Sequence, residues 1–498
     1  MRRLLGPVRL GLGLLLLASG GFFFATPGAS PAIVAAAFAP DDRPNIVLIS
    51  TDDQTVQDLR WMPKTKALLA AQGVTFQGIS PHPLCCPARA EILTGQYAHN
   101  NGVYSNAGKY GGYQALSHPD NTIGAWLKDA GYRTGFSGKF LNGYSWEQHG
   151  RPAGWDFWDP TVLGTYAYTG YTTANNGVPR PAPPGEYITD YVAQVTREHI
   201  ELWSNQSRPF FFWASYVAPH TKCDEAKESC HRPPIPAEQY ASAYPTAVNP
   251  ATAKPSFNER DVTDKPKRVR GPKRDRAKLQ RLFLQRIRTL VSVDDAVENT
   301  VQALAESGEL QNTVIIFTSD NGYLLGEHRL RGKKRPYEEA IRVPLIVRGP
   351  GFGVGTVSPR PGSILDIAPT LLSAAEATPG RLIDGAPLTG LQASVTGDER
   401  DTRLIQSAME VHSGATRLWD WRGVRERRYT FVRWANGVLE LYDRYKDPYE
   451  LRNRAADPRY RKVLKAMRTR FQALSSCAGT EECYRDFGPM PYPSPPKR

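Results

Sequence analysis

The 498 residues carry 62 Lys+Arg against 49 Asp+Glu, a net charge of +13, with 41% hydrophobic and 22% charged residues. That length suits roughly two or three domains or one large α/β unit with insertions, and 43 Gly with 41 Pro stay below a collagenous or disordered composition, so a globular chain with a sizeable core is expected. The positive balance favours anionic partners (sulfated glycan, nucleic acid, acidic lipid) without choosing among them.

The chain opens on Arg2, Arg3 and Arg9, runs through apolar Leu10 to Leu17, and continues through small residues to an Ala/Pro-rich stretch before Asp41. This order is that of an export signal, so residues 1–40 are expected to be a signal peptide and leader, cut between Ala18 and Ala39, and the mature protein to be secreted or extracytoplasmic. Glycines at 11, 13, 20 and 21 interrupt the apolar part, and no later segment is apolar enough for a stable membrane span.

Four mostly apolar runs follow, each ending in polar residues. Asn45 to Ser50 leads into Thr51-Asp52-Asp53, Tyr132 to Ser137 into Gly138-Lys139, Pro209 to Tyr216 towards Pro219-His220, and Thr313 to Ser319 into Asp320-Asn321. Continuous runs of this kind read as strands buried on both faces, so the fold class is α/β, a large mainly parallel sheet sandwiched by helices. Ligands of such sheets bind beyond the carboxyl ends of the strands, where all four polar sets would lie.

Between the last two runs, Pro250 to Arg281 is rich in Lys, Arg and Pro and poor in apolar residues. It is expected to be an exposed loop leading into a helix; without aromatic interleaving, zinc spacing or a recognition helix, nucleic acid is not the expected partner. Leu290, Val293, Val297, Val301 and Leu304 recur at helical spacing up to Gly308, and Asp294 and Asp295 on that helix read as solvated or capping charges. After about Thr402, runs at Arg427 to Trp434 and Val438 to Tyr442 and a helix from Arg459 to Leu474 suggest a smaller antiparallel α+β subdomain. The expected division is therefore 1–40 leader, 41–400 catalytic domain and 401–498 C-terminal subdomain.

The six cysteines fall into three close pairs. Cys223 with Cys230, and Cys477 with Cys483, predict two local disulfides in an oxidising compartment. Cys85 and Cys86 are adjacent, a spacing that seldom bridges because the connecting peptide must strain, so they need another role. Asp52, Asp53, Asp320 and Asn321 offer only oxygen donors, which suits a hard cation, Ca²⁺ first and Mg²⁺ second; the competing reading is that each pair caps a helix.

Cys85-Cys86-Pro87-Ala88-Arg89, followed by a stretch ending Leu93-Thr94-Gly95, resembles the sulfatase signature, in which the first Cys is oxidised to formylglycine. The resemblance extends through Asn45 to Asp53, Gly138-Lys139, Ala218-Pro219-His220, Asp320-Asn321-Gly322, Lys333 with Tyr337-Glu338, and Glu440-Leu441-Tyr442-Asp443; the family's usual Ser is Ala88 here. It implies an alkaline-phosphatase-like sulfatase fold and maturation of Cys85 by a formylglycine-generating enzyme. It also implies a metal held by Asp52, Asp53, Asp320, Asn321 and residue 85, sulfate held by Lys139 and Lys333, a proton supplied by His220, and orientation of residue 85 by Arg89. Lys334 is the alternative to Lys333, and His149 and His328 are weaker candidates, His328 as a pocket wall. The segment from Thr289 to Gly351, and Asn142 after Leu141, look most like N-acetylglucosamine-6-sulfatases, so the implied substrate is a sulfated sugar. The alternatives are an arylsulfatase taking aryl sulfates, a phosphodiesterase or phosphonate hydrolase of the same superfamily, and a non-catalytic sulfoglycan-binding protein.

Overall fold

Successive side chains of a strand point to opposite faces, and here each face meets its own core. In β1 (Asn45–Thr51) Ile46 and Leu48 enter one hydrophobic cluster and Val47 and Ile49 another, so every residue of the strand is buried. A computed structural model describes residues 42–224, 229–392, 400–411 and 418–495; the expected leader lies outside the described residues. In chain order the further strands are β2 (Val74–Thr75), β3 (Arg133–Gly138), β4 (Phe157–Leu163), β5 (Thr172–Asn175), β6 (Val178–Pro181), β7 (Phe210–Ser215), β8 (Thr313–Ser319), β9 (Leu345–Arg348) and β10 (Thr356–Val357). They form a 10-stranded sheet in the order β10-β2-β9-β8-β1-β7-β3-β4-β5-β6. From β8 to β4 neighbours run parallel, while β9, β5 and β6 are antiparallel to theirs.

Five helices cover this sheet: α1 (Cys85–Thr94), α2 (Ile123–Asp129), α3 (Ile188–Ser204), α4 (Arg276–Glu306) and α5 (Ile367–Ala375). Ile92 and Leu93 of α1, Ile123 and Leu127 of α2, and Ile367 and Leu371 of α5 share the cluster of Ile46. Val192 and Ile200 of α3 and Leu290, Val293, Val297, Val301 and Leu304 of α4 share that of Val47. Burial of each such side chain contributes about 1.5–3 kcal/mol relative to exposure, so both faces need their helices.

The basic stretch departs from expectation. Helix α4 starts at Arg276, capped by the Asp275 carboxylate, which accepts from Lys278 N at 2.9 Å. Lys265, expected in an exposed loop, is buried between Glu259 (3.3 Å) and Asp264 (3.0 Å), because two carboxylates compensate its charge there. Asp294 caps the short helix Pro63–Thr65, accepting from Lys64 N (3.0 Å) and Thr65 N (2.7 Å).

A second, four-stranded antiparallel sheet comprises β11 (Arg403–Ala408), β12 (Trp419–Arg425), β13 (Tyr429–Trp434) and β14 (Leu439–Asp443), in chain order. Its Leu404, Val424, Phe431 and Leu441 pack beneath Val463, Met467 and Leu474 of α6 (Arg461–Leu474). Its other face, through Ile405, Trp421 and Val432, packs on Ile79, Leu324 and Tyr337, within the same compact unit, Pro40–Arg498. Cys223–Cys230 and Cys477–Cys483 are disulfide-bonded, and Cys85 and Cys86 are free and buried. Among the described residues no helix is long and apolar enough to cross a membrane.

Candidate active site

Pairing of β1 with β8 sets Thr51 opposite Ser319, so Asp52-Asp53 and Asp320-Asn321 leave the sheet side by side. Asp53 turns with φ 69°, a left-handed conformation uncommon outside glycine. Its N–H donates to Asp320 Oδ1 at 3.1 Å, and Asn321 Nδ2 donates to Asp53 Oδ1 at 2.6 Å. Helix α1 begins here at Cys85; its first turn is held by Asn106, whose Oδ1 accepts from Cys86 N at 3.0 Å. The wholly buried Cys85 thiol lies 3.5 Å from Asp52 Oδ1 and accepts from Lys333 Nζ at 2.6 Å.

Three cations close around these carboxylates. Arg89 sits one helical turn after Cys85, on the same side of α1. Its Nε donates to Asp320 Oδ2 (3.0 Å), and one terminal nitrogen donates to Lys139 O (2.7 Å) and Ser215 Oγ (2.6 Å). Lys139 pairs with Asp52. It follows Gly138, where φ is 108° and a Cβ would lie 2.0 Å from Ser215 O, so only glycine lets β3 end against β7 and deliver the lysine. Lys333 reaches Asp53 Oδ1 at 2.5 Å, whereas Lys334 pairs with Glu410 at 3.0 Å.

His220 follows β7. Its Nδ1 lies 2.6 Å from the Thr221 carbonyl oxygen, which makes Nδ1 the protonated nitrogen of the neutral ring. Its Nε2 is 3.7 Å from Asp53 Oδ2, and its ring stacks on Tyr166 at 4.4 Å. Tyr166 also lies under Lys139 Nζ at 4.5 Å, and its hydroxyl accepts from Asn142 Nδ2 at 2.8 Å.

Burial disfavours every charge in the cluster, and the pairings decide which remain. For Asp52 the burial penalty is outweighed by the charges of Lys139, Lys333 and Arg89, which hold the carboxylate well below the usual range. Burial and then the Asp52 charge push Asp320 up to about 6 against Arg89. Burial lowers His220 to about 4 despite Asp52 and Asp53, so the imidazole is neutral near pH 7. Burial and Asp52 raise the Cys85 thiol to about 11, leaving it protonated, a poor nucleophile as it stands.

Asp52, Asp53, Cys85 and His220 each offer a donor atom within 4.8 Å of the others. Asn321 Oδ1 is buried with no hydrogen-bond partner, directly beside Asp53. A bare amide carbonyl among carboxylates is what a hard cation would occupy, so the residues present fit one.

A cavity of ≈ 570 Å³ reaches Asp53, His220 and Lys333 and is lined elsewhere by Asn106, Tyr166, Tyr323 and several basic side chains. The structure thus brings together Asp52, Asp53, Cys85, Arg89, Lys139, His220, Asp320, Asn321 and Lys333. It does not bring in His149, whose ring packs on Tyr113 and Tyr144. Nor does His328 line the cavity; it is buried against Glu259 (2.7 Å) and Tyr337, because that carboxylate and ring hold it away. Sequence reasoning missed Tyr166, Asn106 and Arg286. Arg286 is fully buried and donates to Asp53 O (2.5 Å) and Pro219 O (3.4 Å), fixing both the Asp53 turn and the His220 segment. Its signal was available: an arginine on the apolar stripe of α4, between Phe283 and Leu290.

A sulfatase family model matches residues 44–377, and a model of the C-terminal part of N-sulphoglucosamine sulphohydrolase matches 326–476. An arylsulfatase of Volvox carteri is 32% identical over 490 residues, 88% of this chain and 75% of its own. An N-acetylglucosamine-6-sulfatase of Capra hircus is 37% identical over 354 residues, 67% of this chain, which spans only 60% of that relative's length. A protein solved with its substrate D-glucosamine-2-N,6-O-disulfate superposes with a TM-score of 0.69 at 23% identity, over 89% of this chain and 98% of that one, a likeness of fold. Matched by the family model over most of its length, with the matched segments converging on one pocket, the chain belongs to the sulfatase family.

Proposed function

We propose that this chain hydrolyses sulfate esters of sulfated sugars, glucosamine 6-sulfate and related glycan esters first, after Cys85 is converted to formylglycine by a formylglycine-generating enzyme. The observation that carries the reading is the placement of residue 85: first residue of a helix, buried, with Asp52 at 3.5 Å, Lys333 Nζ at 2.6 Å, and a cavity opening beside it. The name of the N-acetylglucosamine-6-sulfatase relative supports the substrate class. A leader at 1–40, a catalytic domain at 41–400 and a C-terminal subdomain at 401–498, with export, complete the proposal; the two disulfides are in keeping with an oxidising compartment.

Formylglycine would supply a hydrated aldehyde as nucleophile, and a divalent cation, Ca²⁺ before Mg²⁺, held by Asp52, Asp53, Asp320, Asn321 and residue 85, would supply charge neutralisation. The remaining work belongs to the side chains. Lys333, against residue 85, and Lys139, paired with Asp52 beside it, would bind the sulfate oxygens. Arg89 fixes Asp320 and the Lys139 carbonyl. Asp52 is the nearest carboxylate to accept a proton from residue 85. His220 would protonate the departing sugar oxygen. Because Thr221 engages Nδ1, Nε2 carries a proton only in the imidazolium, and burial permits that form only when the sulfate's negative charge arrives beside it.

Values of kcat/KM at fixed salt for glucosamine 6-sulfate, galactose 6-sulfate, an aryl sulfate and a phosphonate monoester test the reading. Turnover of a sulfated sugar is expected, with glucosamine 6-sulfate preferred. Hydrolysis of the aryl ester alone would remove the glycan assignment and keep the sulfatase; preference for the phosphonate would remove both.

A further inference from the structure

The cavity above residue 85 has a floor and a mouth of different character. At the floor Asp53 and His220 are buried and Lys333 is nearly so. The mouth is formed by exposed His231, Arg274 and Arg331 and half-buried Lys334, and among the described residues Asp53 is the one carboxylate that lines the cavity. Lys334 has Glu410 as counter-charge at 3.0 Å. Arg274 and Arg331 have none among the described residues; they are anchored by neutral groups instead. Arg274 Nε donates to the Arg329 carbonyl at 2.8 Å. Arg331 donates through Nε to the Tyr323 hydroxyl at 3.3 Å and through Nη2 to the His231 carbonyl at 3.2 Å.

Such anchoring holds two guanidinium groups at the mouth while leaving their charge uncompensated. A lone exposed arginine is at ease in water and asks for no ligand. Two that converge on a cavity already lined by Lys333 and Lys334, with Asp53 the one lining carboxylate among the described residues, build a local positive field that one bound sulfate at the floor does not exhaust. The planar fork of arginine matches the paired oxygens of sulfate or carboxylate. Resting on the reading of the floor as a sulfate-ester pocket, we infer that the preferred substrate carries a second anionic group, bound at the mouth by Arg274 and Arg331. A singly sulfated sugar fills only the floor. The substrate class is therefore a glycan with at least two negative groups within one or two sugar units, the second being either another sulfate or a uronate carboxylate.

Comparing kcat/KM for glucosamine 6-sulfate, glucosamine 2-N,6-O-disulfate and a uronate-linked glucosamine 6-sulfate disaccharide tests this, in the mature protein and in the Arg274→Ala/Arg331→Ala double variant. Charge-assisted hydrogen bonds at this strength predict a preference of roughly 10-fold or more for one doubly anionic substrate, carried by KM and shrinking as salt is raised. Which of the two is preferred identifies the second anion. The double variant is expected to lose that preference while glucosamine 6-sulfate, whose hydrolysis reports folding, is still turned over. Equal kcat/KM for all three in the unaltered protein, or a preference that survives the double substitution, overturns the inference and leaves the sulfatase intact. Absence of turnover on every ester would overturn the floor reading itself.

Discussion

His220 is the residue whose role separates most cleanly by leaving group. A sugar alkoxide leaves poorly without a proton and an aryloxide leaves well, so loss of the acid costs more on the sugar ester. His220→Ala is expected to lower kcat on glucosamine 6-sulfate by about 10²–10⁴-fold, the usual range for general acids, and to lower it much less on an activated aryl sulfate. Equal losses on both, read from steady-state kinetics, would make His220 a sulfate-binding residue only. Asn321→Ala removes a buried site oxygen without a protein partner and also the hydrogen bond from Nδ2 to Asp53; it is expected to lower thermal stability without metal by about 1–3 kcal/mol and, in a calorimetric titration, to weaken Ca²⁺ affinity. Unchanged affinity would remove Asn321 from the ligand set. At this scale Asp52, Asp53, Asp320 and Asn321 were legible because each pair ends a buried run, and strand ends collect ligands. Tyr166 and Asn106 were not, because each lies in an irregular segment far in sequence from what it touches: Tyr166 beneath Lys139 and His220, Asn106 at the start of α1.

Among the elements, β3 has the least room to vary. A methyl at Gly138 would collide with the Ser215 carbonyl, and φ there is 108°. Gly138→Ala is therefore expected to destabilise the fold by about 1–3 kcal/mol, as overpacking does, and to displace Lys139 enough to raise KM; a melting temperature within one degree or so of the parent, with normal kinetics, would contradict the packing account. The central strands could be read from sequence because both their faces are apolar. Strands β11 and β12 were not individually resolved, because Arg403, Gln406 and Arg425 interrupt the pattern and yet are buried. Arg425 is compensated by a bidentate pair with Glu338 at 2.6 and 2.9 Å, a partner that no local pattern reveals. The first turns of α4 were hidden in the same way, by Lys and Arg between Arg276 and Arg281.

For the molecule as a whole, the +13 charge and the basic cavity mouth act over distances that salt controls. The screening length falls from about 10 Å at 0.1 M to about 3 Å at 1 M salt, so KM for a sulfated oligosaccharide is expected to rise steeply with ionic strength while KM for a small aryl sulfate changes little. Parallel salt dependence for both would place the recognition at the floor alone. The most direct test concerns residue 85, on which the chemistry depends. The peptide containing Cys85 and Cys86, from protein purified from a host with a formylglycine-generating enzyme, should show by mass spectrometry after aldehyde labelling an aldehyde at 85 and a thiol at 86. A fully active protein with unmodified cysteine at 85, or with the aldehyde at 86, would contradict the account.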